Sequence, residues 1–321
     1  MARIGFHASH ELFPPGELLR RARDAERLGF DGAMCSDHFH PWTESQGESG
    51  FTWSWLGAAM QATGLTFGTV CAPGQRYHPA IVAQASATLA SMFPGRFWVA
   101  LGTGQYLNEH IDGAPWPAKP ERQARLLEAV KVIRALWAGE TVDHDTPWFK
   151  VRGAKLYTRP ERPPRIMGAA ITEETAEWVG GWADGLITVG KEPADLRKIV
   201  AAFRRGGGAS KPMALQAAVS YAEDESQALS EALRRWPVAT VDLAKNQDLA
   251  APADFDRETA GATVDDIRDK LRISADLDRH VEWLKGDIEA GFDEIYLHHV
   301  GPAPDAFLQA FSERVLPRCR G

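Results

Sequence analysis

The sequence predicts a single (β/α)8 barrel, and three observations carry that expectation. Short apolar runs alternate with amphipathic helical stretches along the chain, which is the pattern of βαβ units and a parallel sheet. A helix-to-strand joint recurs as Leu28-Gly29-Phe30-Asp31, as Ala290-Gly291-Phe292-Asp293 and, more loosely, as Gly181-Trp182-Ala183-Asp184. In each, a glycine ends the helix and an aspartate opens the next strand, so one joint is reused near both ends and in the middle. The main alternative, an open doubly wound sheet, usually has a Gly-rich phosphate loop after its first strand, and none follows here.

The elements fall in order. Arg3–Phe6 reads as the first strand. Pro15–Leu28 follows as a helix, with Leu18, Leu19, Ala22, Ala25 and Leu28 near helical spacing. Strand Gly32–Ser36, helix Trp53–Thr63, strand Thr66–Cys71, helix Pro79–Phe93 and strand Phe97–Leu101 continue the alternation. Arg165–Ala169, Gly185–Val189, Met213–Ser220 and Glu294–His298 supply the remaining strands. Two stretches interrupt the beat. Residues 139–164 hold Trp148, Phe149 and a Pro-rich exit, and read as a hairpin-like excursion. Residues 236–263 are polar, and such an insertion in a barrel serves as a lid, an oligomer contact or a mobile loop. No linker divides residues 1–321, which are expected to form one domain.

Composition excludes several classes. A net charge of −7 argues against non-specific binding to nucleic acid. No apolar run approaches the roughly 20 residues of a membrane span. The start of the chain has no long apolar stretch of the secretory kind. Cys35, Cys71 and Cys319 are widely spaced and expected to be reduced thiols, which suits a cytoplasmic protein. The 11 tryptophans fit ordinary core packing better than a dedicated pocket.

Barrel sites gather at the C-terminal ends of the strands. Titratable and polar residues converge there: His7 to Glu11, Ser36 to Trp42, Cys71 to Arg76, Gly102 to Glu109, Lys191, and His298-His299. Asp37-His38 is the sharpest pair, because an imidazole beside a carboxylate can exchange a proton near neutral pH. The competing reading has Asp37 capping a turn and His38 packing. Gly102-Thr103-Gly104 suits a close backbone approach to a ligand, although Leu107 breaks the dinucleotide fingerprint. His7, His38, His40, His298 and His299 raise a metal-dependent hydrolase as a rival, but the fifth and sixth strands end without histidine. No metal is expected.

Ser36-Asp37-His38-Phe39 with Pro41-Trp42 resembles a segment of the luciferase-like oxidoreductases related to the deazaflavin-dependent glucose-6-phosphate dehydrogenases. Ala8-Ser9 with Glu11, Trp53-Ser54-Trp55, Arg76-Tyr77-His78-Pro79-Ala80, Pro94-Gly95-Arg96, Gly102-Thr103-Gly104 and Leu107-Asn108-Glu109 match in the same order. The resemblance implies a luciferase-like barrel with a flavin ring in its mouth. It implies a proton-transfer role for His38 and places Asp37 along the ring. It also implies a non-proline cis peptide at Thr69-Val70 cradling that ring. Gly102, Thr103, Gly104 and Asn108 would bind the ribityl chain and phosphate, with Ala170 and Ile171 beside them. Glu11, Trp42, Tyr106 and Lys191 would shape the pocket for a small organic substrate.

Departures from the family pattern matter as much. Gln105 stands where those dehydrogenases carry a catalytic glutamate, and it would orient flavin or substrate instead. Ile171-Thr172 replaces a phosphate-binding Gly-Gly pair. Lys191 matches a phosphate-gripping lysine, while Arg257 and Lys270 match its basic partners only loosely. On these grounds FMN is the expected cofactor and the deazaflavin coenzyme F420 the alternative. The expected enzyme transfers hydride at flavin N5, as a reductase or a monooxygenase, and is expected to be a homodimer. A flavin-binding protein without turnover is the reading from another class.

Overall fold

In the computed structural model, which describes residues 2–320, eight parallel strands close into a barrel. They are β1 (Arg3–Ala8), β2 (Gly32–Ser36), β3 (Thr66–Cys71), β4 (Phe97–Leu101), β5 (Arg165–Ala169), β6 (Gly185–Val189), β7 (Met213–Ser220) and β8 (Glu294–His299). Each pairs with the next, and β8 returns to β1 to close the ring. A two-residue strand, Arg272–Ile273, adds to the C-terminal end of β7. It is too short to leave a pattern in the sequence. Helices Pro15–Arg27, Thr52–Ala62 and Pro79–Met92 flank the barrel close to their expected spans.

The recurrent joint has a physical purpose. Asp31 receives the N–H of Ile4 at its carboxylate (2.9 Å) while its own N–H donates to the Ile4 carbonyl (2.9 Å). Asp184 holds Ile166 in the same two-point way (2.9 and 2.8 Å), and Asp293 holds Met213 (2.9 and 2.9 Å). Each aspartate therefore clips its own strand to the preceding one: β2 to β1, β6 to β5, β8 to β7. The glycines differ. Gly29 (φ 85°) and Gly291 (φ 108°) turn left-handed, whereas Gly181 (φ −76°) does not, which is why the middle copy looks looser.

Side chains fill the lower barrel. Met34, Trp98, Met167, Ile187 and Tyr296 pack there. Gly68 and Gly5 make room for the two large rings: a Cβ on Gly68 would lie 2.0 Å from the Trp98 indole, and one on Gly5 would lie 2.6 Å from Tyr296. The Trp98 indole N–H donates to the Tyr296 hydroxyl (3.2 Å), which donates to Glu294 (2.6 Å). Glu294 also pairs with Arg165 (2.9 Å) and Arg3, so this floor is polar but satisfied. The barrel is closed below and open above.

Both excursions are observed. Val142–Asp145 and Lys150–Ala154 form the antiparallel hairpin. Residues 236–263 hold a 3₁₀ turn and the short helices Leu243–Asn246 and Pro252–Thr259. Val238, Val241 and Phe255 from this segment pack on Trp42 and Leu107, so it roofs the mouth. Among the described residues no helix is long and apolar enough to cross a membrane.

Candidate active site

A cavity of about 1620 Å³ occupies the mouth, at the C-terminal ends of the strands. β2 ends at Ser36, and the chain then carries Asp37 and His38 over the opening. Asn108 fixes that exit, since its Oδ1 accepts the N–H groups of Phe39 (2.8 Å) and His40 (3.3 Å). Ser49 Oγ donates to the His38 carbonyl (2.8 Å).

Asp37 and His38 do not serve one another; they enter separate networks. His38 Nδ1 lies 3.5 Å from Glu11, and its ring centroid lies 4.9 Å from that of Trp42. Glu11 is buried and receives the hydroxyls of Ser9 (2.8 Å) and Ser36 (2.7 Å). Burial pushes the Glu11 carboxyl up, but its pairing with His38 and the Ser36 hydroxyl outweigh it and hold the group below its ordinary value. Burial lowers His38, against the pull of Glu11. The outcome is a neutral imidazole backed by a carboxylate, an arrangement able to accept a proton at neutral pH.

Asp37 faces the other way. Its Oδ1 accepts the Tyr77 hydroxyl (3.0 Å), and its Oδ2 lies 3.5 Å from the Arg76 guanidinium. Arg76 also donates to the Asp37 carbonyl (2.9 Å) and reaches Glu109 at 3.5 Å. Glu109 in turn accepts the Arg76 backbone N–H (3.0 Å). Burial raises both carboxyls, opposed by Arg76 between them. Sequence reasoning gave Arg76, Tyr77 and Glu109 no role. Their signal was three polar side chains within two short loops that must cross a barrel mouth.

Most of the expected residues line the cavity. Glu11, Asp37, His38 and Trp42 do so from the β1 and β2 ends, and Val70 from β3. Gly102, Thr103, Gly104, Gln105 and Asn108 follow from β4, Ala170 and Ile171 from β5, and Lys191 from β6. Of the 11 tryptophans, Trp42, Trp116, Trp236 and Trp283 also line it, so packing elsewhere is the commoner fate of this residue.

Several expectations are corrected. Thr69 does not face the cavity: its hydroxyl donates to the Cys35 carbonyl (3.1 Å) on the outside of the barrel, because inward alternation falls on Gly68 and Val70. The described peptide bonds include no cis bond, and β3 keeps its ladder to both neighbours through Thr69-Val70. Tyr106 turns away from the cavity, its ring stacked on Trp116 at 5.5 Å and its N–H donating to Gln247 of the roof (3.0 Å). The Gly102 N–H is spent on the Cys71 carbonyl (3.0 Å). Gly104 (φ 86°) packs on Glu109, where a Cβ would meet Cγ at 2.9 Å. Arg257 pairs with Asp254 away from the mouth, whereas Lys270 lines it.

The five histidines do not converge on one point. His7, His38 and His298 reach the cavity. His40 Nδ1 is instead bonded to the Leu107 carbonyl (2.9 Å), and His299 stacks on Phe307 at 4.2 Å. Among the described residues no cluster of His, Cys, Asp or Glu could hold a metal ion.

Fold and site define a flavin-type oxidoreductase, and the comparisons with known proteins agree. Residues 1–294 match the luciferase-like monooxygenase family, and the chain belongs to it. It is 34% identical over 330 residues to an F420-dependent glucose-6-phosphate dehydrogenase of Beutenbergia cavernae, covering 100% of this chain and 98% of the relative. It is 35% identical over 328 residues to the protein of the same name from Microbacterium testaceum, covering 99% and 97%. The structure of an F420-dependent secondary alcohol dehydrogenase in complex with an F420-acetone adduct superposes with a TM-score of 0.93 at 32% identity, covering 100% and 99%. These relatives are named for F420, where the sequence had favoured FMN.

Proposed function

We propose that this enzyme is an F420-dependent dehydrogenase that oxidises a hydroxyl-bearing small organic substrate, or reduces the corresponding carbonyl. The observation that carries the reading is the His38 imidazole, held neutral against buried Glu11 at the mouth of a barrel whose full-length relatives are F420-dependent. The residues present suit the coenzyme. Val70, Gly102, Ala169 and Ala170 give one side of the cavity a low, largely apolar surface for a planar ring. Buried Asp37 Oδ2 has no hydrogen-bond partner of its own. Thr103, Ile171 and Thr172 lie at the adjoining strand ends, where the coenzyme's chain would be held.

The coenzyme, when bound, would supply a hydride acceptor for the substrate carbon. His38 accepts the hydroxyl proton as the carbonyl forms, and Glu11 stabilises the resulting imidazolium. Gln105 can orient a substrate oxygen but carries no proton to give or take. Trp42 beside His38 and the roof at Val238 and Val241 keep water from the reacting atoms.

F420 is expected to bind at least ~10-fold more tightly than FMN, a difference of about 1.4 kcal/mol, in parallel fluorescence titrations of the purified protein. Tighter binding of FMN would overturn the cofactor assignment. Gln105 bears on the substrate. A positioned acid–base group contributes roughly 10²–10⁴-fold, so glucose 6-phosphate oxidation with F420 is expected to stay near background. Robust steady-state turnover of that sugar phosphate would show that the missing carboxylate is not needed.

A further inference from the structure

The mouth of the barrel has two unlike halves. Within β3 to β6 the inward positions carry Val70, Gly102, Ala169 and Ile187, none with a hydrogen-bonding side chain, and the polar side chains on that side, Asp37, Thr103, Gln105, Asn108 and Lys191, stand beyond the strand ends. From β7 through β8 to β1 the corresponding positions carry Gln216, His298 and His7. The proton-transfer scheme uses none of these three.

Their geometry is that of a built wall. The His7 and His298 rings lie 4.4 Å apart, and the edge of Trp236, from the roof, meets His298 at 4.4 Å. Gln216 Nε2 lies 3.5 Å from His298 Nδ1. With that amide donating, the His298 proton sits on Nε2. That nitrogen is buried and has no partner, as is also true of His7 Nδ1. His298 is 1% exposed and His7 4%, and both line the cavity. Burial pushes His298 down to about 3 and His7 well below its ordinary range, so neither is a cation near neutral pH. The wall offers neutral donors and acceptors, which suit hydroxyl or carbonyl oxygens and do nothing to neutralise an anion.

We propose that His7, Gln216 and His298 form the specificity wall of the substrate site, recognising a second, uncharged hydroxyl or carbonyl group beside the one that reacts. The substrate class is then a diol, polyol or hydroxyketone. This rests on the dehydrogenase reading above, which does not itself require a second oxygen. A site built to hydrogen-bond an oxygen discriminates strongly against an analogue without it, because its own buried groups are left unpaired.

The test compares 1,2-propanediol with 2-propanol, two probes that differ by one hydroxyl. With F420, the wild-type kcat/KM for the diol is expected to exceed that for 2-propanol by at least ~10-fold. His298→Phe keeps a ring against Trp236, and it should bring the ratio close to one without changing F420 affinity in a fluorescence titration. Gln216→Leu gives a second reading should the phenylalanine variant fold poorly. A cofactor-free arm separates the two hypotheses. In ¹⁵N-histidine NMR of the wild-type protein, the diol should shift the signal that His298→Phe removes, and 2-propanol should not. Those shifts without F420 binding would sink the cofactor reading and keep the wall. F420 binding with equal kcat/KM for the two probes, or no diol-specific imidazole shift, would overturn the wall.

Discussion

His38→Asn is expected to lower turnover roughly 10²-fold or more while leaving the fold intact. The imidazole sits at the rim of the cavity, with 14% of its side chain exposed and its Nδ1 free of any hydrogen bond to the barrel core. Asparagine there leaves no large void, and Glu11 keeps the hydroxyls of Ser9 and Ser36. The melting temperature should stay within a few degrees of wild type. A pH profile sharpens the test. His38 is held below the ordinary imidazole value of 6.5, so oxidation by the wild type should fall only below that pH, as the ring takes a proton before the substrate can offer one. The asparagine variant should lack this limb. Easy unfolding, or normal rates, would return His38 to a packing role.

Arg76→Met should cost about 3–5 kcal/mol of stability, the range for removing one partner of a buried ionic group. Arg76 is the cation between two buried carboxyls, Asp37 and Glu109, and its side chain is 7% exposed. Methionine fills much of the space but strands both acids. The sign of the pH dependence follows from their direction. Burial already raises both, with Arg76 opposing it, and losing the guanidinium raises them further. A carboxyl raised by folding favours the native state below its unfolded value, near 4, and loses that contribution as pH climbs through its folded value. The deficit of the variant should therefore shrink from pH 8 toward pH 5 in urea melts. A deficit independent of pH would mean that the loops, not the charges, depend on Arg76.

The barrel was legible because its signals are local. The strands are short apolar runs between glycine turns, and the Gly-x-Asp joint marks where several of them begin. Even Thr69 could have been placed: Gly68 must face inward to clear Trp98, so its neighbour faces out. The site was legible only as a list of strand ends. Asp37 and His38 are adjacent in sequence, yet one belongs to Arg76 and the other to Glu11, 27 residues upstream of His38. That division depends on which way two loops cross the mouth, and no local pattern encodes it. Tyr106 failed for a similar reason, since a short helix turned its ring toward Trp116. For the cofactor, Gln105 and Ile171-Thr172 point to FMN residue by residue, whereas the likeness that runs the length of the chain is to proteins named for F420.

The aspartate clips at the base of the barrel have a bearing on chemistry performed at its far end. Alternate residues of a strand point to opposite sides, so a slip of one position exchanges the two sets completely. Asp293 clips Met213 one residue before β8 begins, and five residues further on His298 faces the cavity while His299 faces Phe307. Asp31 clips Ile4 in the same way, three residues before His7. A two-point contact at one end of each strand thus acts as a datum, like the stop on a ruler, from which the aim of the imidazoles is measured. Drift in the helices between could bend the wall of the barrel, but it could not by itself exchange His298 for its neighbour.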